Sequence, residues 1–337
     1  MAALPVETAI GSLLALAGRE AHRCTAEPLA TGGNNRVFRV TAGNERFVAK
    51  WYYHDARDQR DRLRAEFSFL EHAWGLGLRC VPRPLACDRD AHLALYEYIE
   101  GRHVTPEDLD EARVVEAARF FAALNQAHSR SRAAALKVAS EACFSVAEHL
   151  RMVDARLERF AAMPVESLID REARSFVEAL RRRWSDERGR IASRSRDPEE
   201  RLPDRWRCLS PSDLGFHNTR LRPDGQLCFF DFEYAGWDDP AKAFGDFFAH
   251  PGVPVPRAHA ERFVAEAAAS FERPEALIEH ARLLEPVFRV KWCCIILNEF
   301  LPEAAERRRF ANPASDPQTR KQRQLDKARR LLASLTP

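Results

Sequence analysis

Ser210-Pro211-Ser212-Asp213-Leu214-Gly215-Phe216-His217-Asn218, followed shortly by Phe229-Phe230-Asp231-Phe232-Glu233, is the stretch on which the reading of this chain turns. It sets an Asp, an Asn and a second Asp in an order that suits the handling of phosphate esters. A nucleotide's terminal phosphates are gripped through a hard cation such as Mg²⁺, which takes oxygen ligands; the Asp231 carboxylate and the Asn218 amide oxygen are of that kind. A further carboxylate is needed beside an acceptor hydroxyl, to orient it and take its proton. Asp213, on a loop, is the candidate.

The local pattern agrees with that division of labour. Thr219-Arg-Leu-Arg222 and Gln226-Leu-Cys-Phe-Phe230 read as short strands joined by Pro223-Asp224-Gly225, and Asp-Gly is a strong hairpin signal. Antiparallel pairing would bring Asn218, before one strand, beside Asp231, after the other. A helix over the same span could not do so.

On these residues the chain resembles the aminoglycoside phosphotransferase and choline kinase superfamily, the small-molecule branch of the protein-kinase-like fold. There the catalytic loop usually reads His-Gly-Asp or His-Asn-Asp, then four residues and Asn, then a hairpin and Ile-Asp-Phe/Trp-Glu. The match begins at Asp213. Pro211-Ser212 replaces the pair before it, and the missing His is one that braces the loop without entering the chemistry. The resemblance implies Asp213 as catalytic base, with Asn218 and Asp231 as Mg²⁺ ligands.

It also implies a nucleotide-holding segment upstream. Leu29-Ala-Thr-Gly-Gly-Asn-Asn-Arg-Val-Phe-Arg-Val40 reads as strand, turn and strand, in which Gly32, Gly33, Asn34 and Asn35 would cover phosphates. Alone, Gly-Gly-Asn-Asn is an ordinary hairpin turn. The strand Arg46-Phe-Val-Ala-Lys50-Trp follows; Lys50 matches the family's phosphate-contacting lysine, though by itself it reads as a solvated strand residue. A helical pattern over about Ala56 to Leu76 carries Leu63, Phe67, Leu70 and Trp74 on one stripe. Glu66 and Glu71 on that helix are the alternatives as partner to Lys50, and the spacing favours Glu66. Two more strands, Pro82 to Asp88 and His92 to Gly101, complete a five-stranded sheet. The second ends where the family binds adenine through main-chain groups around Glu97 to Ile99.

After Gly101 helices dominate. Glu111 to His128, about Leu136 to Phe160, about Glu166 to Ile191, Pro240 to Ala249, Ala258 to Phe271, Pro274 to Phe300 and Gln318 to Leu335 all show helical apolar spacing. The pattern predicts an α+β, protein-kinase-like, two-lobed fold: residues 1–101 as a small antiparallel sheet lobe with one helix, 102–337 as a larger, mainly helical lobe.

Composition bounds the rest. The 337 residues are 45% hydrophobic, enough for two cores, and no apolar run is long enough to span a bilayer. Ala9 to Gly18 has some signal-peptide flavour, but Glu7 precedes it without a base, so an amphipathic starting helix is expected. Eight cysteines without a Cys-x-x-Cys pair point to reduced thiols of a cytoplasmic protein. A formal net charge of +2 gives no case for nucleic acid. The bases between Leu301 and Pro337 read as solvated helix faces, or as a surface for an anionic substrate or partner.

Other polar residues near the loop have plainer readings. His217 is expected to pack or hydrogen-bond, Ser210 and Ser212 lack a nucleophile elbow, and Glu233 either supports the metal beside Asp231 or is a surface carboxylate. Asp239-Pro240-Ala241 matches a family element that braces the catalytic loop. The expected activity is transfer of the γ-phosphoryl of ATP, with GTP an open alternative, to a hydroxyl of a sugar, amino alcohol or aminoglycoside-like compound. The rival reading is a pseudokinase that binds nucleotide without turnover, motivated by the missing loop His. An Arg-rich nucleic-acid binder lacks a reading motif.

Overall fold

The computed structural model describes residues 6–21, 24–29, 35–54, 58, 60–302 and 316–333. Helix α1 (Val6–Leu16) leads into strands β1 (Cys24–Leu29), β2 (Arg36–Ala42) and β3 (Glu45–Trp51). Helix α2 (Arg62–Gly75), strands β4 (Pro84–Asp88), β5 (Leu93–Glu97) and β6 (Arg102–His103), and helices α3 (Glu111–Leu124) and α4 (Ala127–Arg132) follow. Then come α5 (Val146–Glu158), α6 (Leu168–Arg194), β7 (Cys208–Ser210), β8 (Thr219–Leu221), β9 (Leu227–Phe229) and β10 (Gly236–Asp238). Helices α7 (Pro240–Ala249), α8 (Ala260–Ala268), α9 (Pro274–Leu297) and a last described helix, Pro317–Ala333, close the chain.

Two compact units form: residues 1–140 with 211–237, and residues 141–210 with 238–337. In the first, β1 to β5 make one antiparallel sheet in the order β1-β2-β3-β5-β4. Alternate residues of β2 and β3 point inward, so Phe38, Val40, Phe47 and Ala49 meet Ile10, Leu13 and Leu14 of α1 in one apolar core. The starting segment is therefore a core helix. Helix α2 begins at Arg62, later than the expected start at about Ala56, where Asp61 caps it by accepting from the Arg64 N–H at 3.0 Å. The hairpin forms as expected: β8 pairs with β9, Thr219 opposite Phe229, and β6 adds at the other edge of β8. Gly101, at φ +140°, is obligatory there, since a Cβ would stand 2.4 Å from the Leu221 carbonyl oxygen.

Apart from β7, the second unit is mainly helical. Ser145 and Ser167 cap α5 and α6 through the Glu148 and Asp170 N–H groups. The helix expected from Leu136 begins only at Val146. Residues 137–139 are held instead by Trp237: its N–H donates to the Lys137 carbonyl at 3.0 Å and its carbonyl accepts from Ala139 at 2.9 Å. A pairing with a distant segment thus overrides the helical spacing of that stretch. In the tail, Lys321 binds Asp170 at 2.7 Å, Arg320 binds Glu299 at 3.0 Å and Arg329 binds Glu172 at 2.9 Å, so part of the basic run ties the last helix to its neighbours. No described helix is long and apolar enough to cross a membrane. All eight cysteines are free, and burial pushes the thiols of Cys80 up to about 11 and of Cys143, Cys228 and Cys294 to about 12.

Candidate active site

Within the first unit, β3 and α2 aim two long side chains at each other. Lys50 is buried, as few lysines are, and its Nζ lies 2.7 Å from Glu66 Oε2. Two further carboxylates face the same ammonium: Asp231, in hydrogen-bond contact, and Glu233, at 3.8 Å. Of the two candidates on α2, Glu66 is therefore the partner. Its oxygens are used in full, because Tyr52 donates to Oε2 at 2.6 Å and the Phe232 N–H to Oε1 at 3.2 Å. Tyr52 and Tyr96 share a further hydrogen bond at 2.6 Å.

The turn carrying Asp231 is held from several sides. Asp231 takes φ +69°, a left-handed conformation that a non-glycine residue adopts only when its surroundings hold it there. Here the Phe232 ring packs 4.7 Å from Phe69 of α2 and 6.2 Å from Phe120 of α3, while Phe120 stacks on Phe229 at 4.8 Å. The Phe230 N–H donates to the Asn218 carbonyl at 3.0 Å, which sets Asn218 and Asp231 side by side as the hairpin argument requires. The Asn218 Nδ2 donates to the Asp213 carbonyl and to Asp213 Oδ2, both at 3.2 Å. That leaves the Asn218 Oδ1 oxygen as a ligand atom. His217 stands with Nε2 3.4 Å from Asp213 Oδ1, a neighbour of the carboxylate in this loop.

Lys50, Glu66, His217, Asn218, Asp231 and Glu233 border one cavity of about 430 Å³, whose lining does not include Asp213. Leu29, Val37, Val48, Ile99 and Phe230 give it apolar walls, and Lys50, Glu66, Asn218, Asp231 and Glu233 a polar end. Glu97, Tyr98 and Ile99 all border it; Glu97 spends its N–H and its carboxylate on the main chain of Arg83, at 2.9 and 3.0 Å. Asn35 donates to Glu233 and accepts from the Tyr53 N–H at 3.1 Å, so its side chain clamps a carboxylate. Gly32, Gly33 and Asn34 lie outside the described residues.

The electrostatics of the polar end are unbalanced. Burial alone would lower the Lys50 pKa, but the fields of Asp231, Glu66 and Glu233 outweigh it and hold the ammonium well above its usual value. Burial also pushes the Asp231 carboxyl up to about 6; Lys50 pulls it down, and Glu66 and Glu233 push it back. Its side chain nevertheless keeps 36% of its surface open. Three carboxylates around one ammonium are two charges short of neutral, and the oxygens of Asp231 and Glu233, with the Asn218 amide, are the hard donors that a divalent cation takes. The residues fit Mg²⁺.

Sequence reasoning missed Tyr52 and Tyr96 and left Glu233 undecided. Glu233 is buried at the cavity and is no surface carboxylate. Its two-residue spacing from Asp231 was the available signal; nothing local marks the tyrosines, of which Tyr52 bonds Glu66 and Tyr96 bonds Tyr52. Asp239, in the second unit, caps α7 through the Ala241 N–H at 2.8 Å. Its other oxygen accepts from His149 at 3.0 Å and His280 at 2.7 Å.

An antiparallel sheet followed by helices, with a buried Lys–Glu pair beside a hairpin-borne Asn and Asp, defines the protein-kinase-like class. The chain belongs to the phosphotransferase enzyme family known as APH, whose model matches residues 25–277. Solved structures share the fold at low identity. Choline kinase LicA from Streptococcus pneumoniae is 16% identical, with 98% of this chain and 99% of that one covered at a TM-score of 0.60. A choline/ethanolamine kinase family protein from Mesorhizobium loti is 17% identical over 93% of this chain and 89% of its own, at 0.58. A spectinomycin phosphotransferase solved with ADP and spectinomycin is 11% identical over 95% and 98%, at 0.61. No curated protein sequence matches the chain.

Proposed function

We propose that this protein transfers the γ-phosphoryl group of ATP to a hydroxyl of a small molecule. The observation that carries the reading is the cluster at Lys50: one buried ammonium, three carboxylates and the Asn218 amide, bordering a cavity that also has apolar walls. A cavity of that kind suits a flat base against its apolar walls, with main-chain groups of Glu97 to Ile99 reading the base edge, and charged phosphates at its polar end. Similar structures solved with ADP and with ATP support a nucleotide as donor.

Each residue then has a task. Lys50, held by Glu66, grips the α- and β-phosphates. Asn218 and Asp231 hold Mg²⁺, which when bound neutralises the charge of the β- and γ-phosphates. Asp213 orients the acceptor hydroxyl and takes its proton as the bond to phosphorus forms. The task of covering the phosphates falls to Gly32, Gly33, Asn34 and Asn35 on the family resemblance. The similar structures include kinases of choline and ethanolamine and phosphotransferases of aminoglycosides and spectinomycin, so the acceptor class is an amino alcohol, a sugar or an aminocyclitol. Hydroxyl compounds screened for ATP consumption, with Asp231→Ala as the blank, test the reading. A positive acceptor should lose turnover in Asp213→Asn while nucleotide still binds. Nucleotide binding without consumption of any acceptor would favour the pseudokinase instead.

A further inference from the structure

A second cation borders the cavity around Lys50. Arg220, on β8, is half-buried there, and among the described residues its guanidinium makes no hydrogen bond, no ion pair and no contact with an aromatic ring. The carboxylates that border the same cavity are occupied elsewhere: Glu66, Asp231 and Glu233 around Lys50, and Glu97 by the Arg83 N–H at 3.0 Å. Arg207, equally half-buried, shows what such a side chain ordinarily finds inside a protein, with Asp204 at 2.8 Å and the Phe144 ring 4.4 Å from its guanidinium carbon. Arg220 has neither. A guanidinium that has given up part of its water without a partner in the protein is open to a ligand.

Its place along the hairpin says which part of a nucleotide it meets. Thr219 lies opposite Phe229 and Arg220 opposite Cys228, so Arg220 stands two residues, about 7 Å of extended chain, from the Asn218 end where the metal ligands meet. Across the other edge of β8 it faces His103 directly, and His103 follows Ile99 by four residues. Side chains directly opposed in an antiparallel pair lie on one face, and both of these border the cavity. Arg220 is thus at the level of the base and its sugar, between the main chain of Glu97 to Ile99 and the phosphates. The five-stranded sheet supplies Leu29, Val37 and Val48 to the lining, all aliphatic; the hairpin and the strand beside it supply Arg220, His103 and Phe230, all with planar groups. Burial and the Arg220 charge hold the His103 imidazole below its usual pKa, so at neutral pH it adds a flat group and no second charge.

We propose that Arg220 is a base-binding residue of the donor site, its guanidinium plane stacked on the purine with His103 beside it. The inference rests on the transferase reading, and it adds a contact with the face of the base to the main-chain contacts with its edge. Stacking suits the position better than a phosphate contact does, because Lys50 and the metal ligands serve the phosphates from the far end of the hairpin. It also suits the group, which is planar, delocalised and weakly hydrated.

The test is calorimetric titration of the full chain with adenosine and with ADP, for the wild type, Arg220→Ala and Arg220→Lys. Adenosine carries the base without the phosphates, and lysine keeps the charge without the plane. Both variants should bind both ligands roughly tenfold more weakly, and by the same factor for each ligand. Unfolding midpoints close to that of the wild type are expected, since the Arg220 side chain bonds nothing among the described residues; should Arg220→Ala not fold, Arg220→Lys decides alone. A loss confined to ADP and restored by lysine would make Arg220 a counter-charge for the phosphates, and unchanged affinities in both variants would make it a solvated side chain. Either result overturns the proposal. A wild type that binds neither ligand at millimolar concentration would instead strike the donor-site reading itself, and this inference with it.

Discussion

Two sets of buried lysines in this protein face opposite circumstances. In the first unit Lys50 meets Glu66, Asp231 and Glu233, three acids to one base. In the second, Lys242 pairs with Asp238 and Lys291 with Asp246, and all four side chains are buried. The balanced pairs satisfy each other: Lys291 bonds both oxygens of Asp246, at 2.8 and 2.6 Å, and the Trp292 indole N–H adds a third bond at 2.8 Å. The Lys291–Asp246 pair ties α9 to α7, and the Lys242–Asp238 pair holds the first turn of α7 to the strand before it. The unbalanced cluster carries excess negative charge that only a further cation removes. Charge stoichiometry, more than burial, separates a site from a strut.

The largest effect that could break this contrast is at Asp231. Asp231→Asn keeps the shape and removes a charge, so phosphoryl transfer should fall about a thousandfold. Stability should move the other way. The folded-state pKa of about 6 lies above the unfolded value of about 3.8, so ionisation costs stability as pH rises from roughly 4 to 6, and the cost is full at neutral pH. Allowing for the open third of the side chain, the variant should gain on the order of 1 kcal/mol at pH 7 and nothing below pH 4. Urea denaturation at the two pH values measures it. A loss of stability at neutral pH would place Asp231 with the structural pairs.

Next in size is Lys291→Met, which strands the Asp246 carboxylate and should cost about 3–5 kcal/mol in the same denaturation experiment. Adding Asp246→Leu should recover most of that, short of about 1 kcal/mol for the Trp292 N–H left without an acceptor. If the single variant proved harmless, these pairs would not be the struts argued here.

A smaller effect sharpens the catalytic side. Glu66→Gln retains an oxygen for the Phe232 N–H or the Tyr52 hydroxyl but removes the charge opposite Lys50. Turnover should drop roughly tenfold with a KM for ATP that rises, while the unfolding midpoint changes little. A large stability loss with unchanged kinetics would make the Lys50–Glu66 pair structural.

The two regions also differed in how far they could be read in advance. Asp213, Asn218 and Asp231 were legible because a hairpin converts sequence spacing into spatial neighbourhood, and Lys50 with Glu66 because a strand followed by a helix does the same over sixteen residues. Tyr52 and Tyr96 were not, since the hydrogen bonds from Tyr96 to Tyr52 and on to Glu66 depend on the order β3-β5 in the sheet, which no local pattern encodes. The stretch 137–145 misled for a related reason: its helical spacing yields to hydrogen bonds with Trp237, one hundred residues distant. The pairings of Lys242 and Lys291 were equally hidden, although Asp246 and the Asp238-Asp239 run were visible as an acidic stretch.

The smallest effect concerns Asp239, whose carboxylate meets both His149 and His280. Burial lowers the His280 pKa, and the field and hydrogen bond of Asp239 raise it further than burial lowers it. A raised folded-state pKa stabilises fully below the unfolded value of about 6.5 and is lost as pH climbs through the folded one. His280→Gln should therefore cost roughly 1 kcal/mol at pH 6 and progressively less toward pH 9. Both groups make the wild type lose stability as pH rises, Asp231 between about 4 and 6 and His280 above about 6.5, yet their substitutions act in opposite directions. Removing Asp231 relieves a cost at neutral pH, whereas removing His280 forfeits a benefit in mild acid. A His280→Gln penalty that stayed constant across this range would mean that the pair contributes through packing alone.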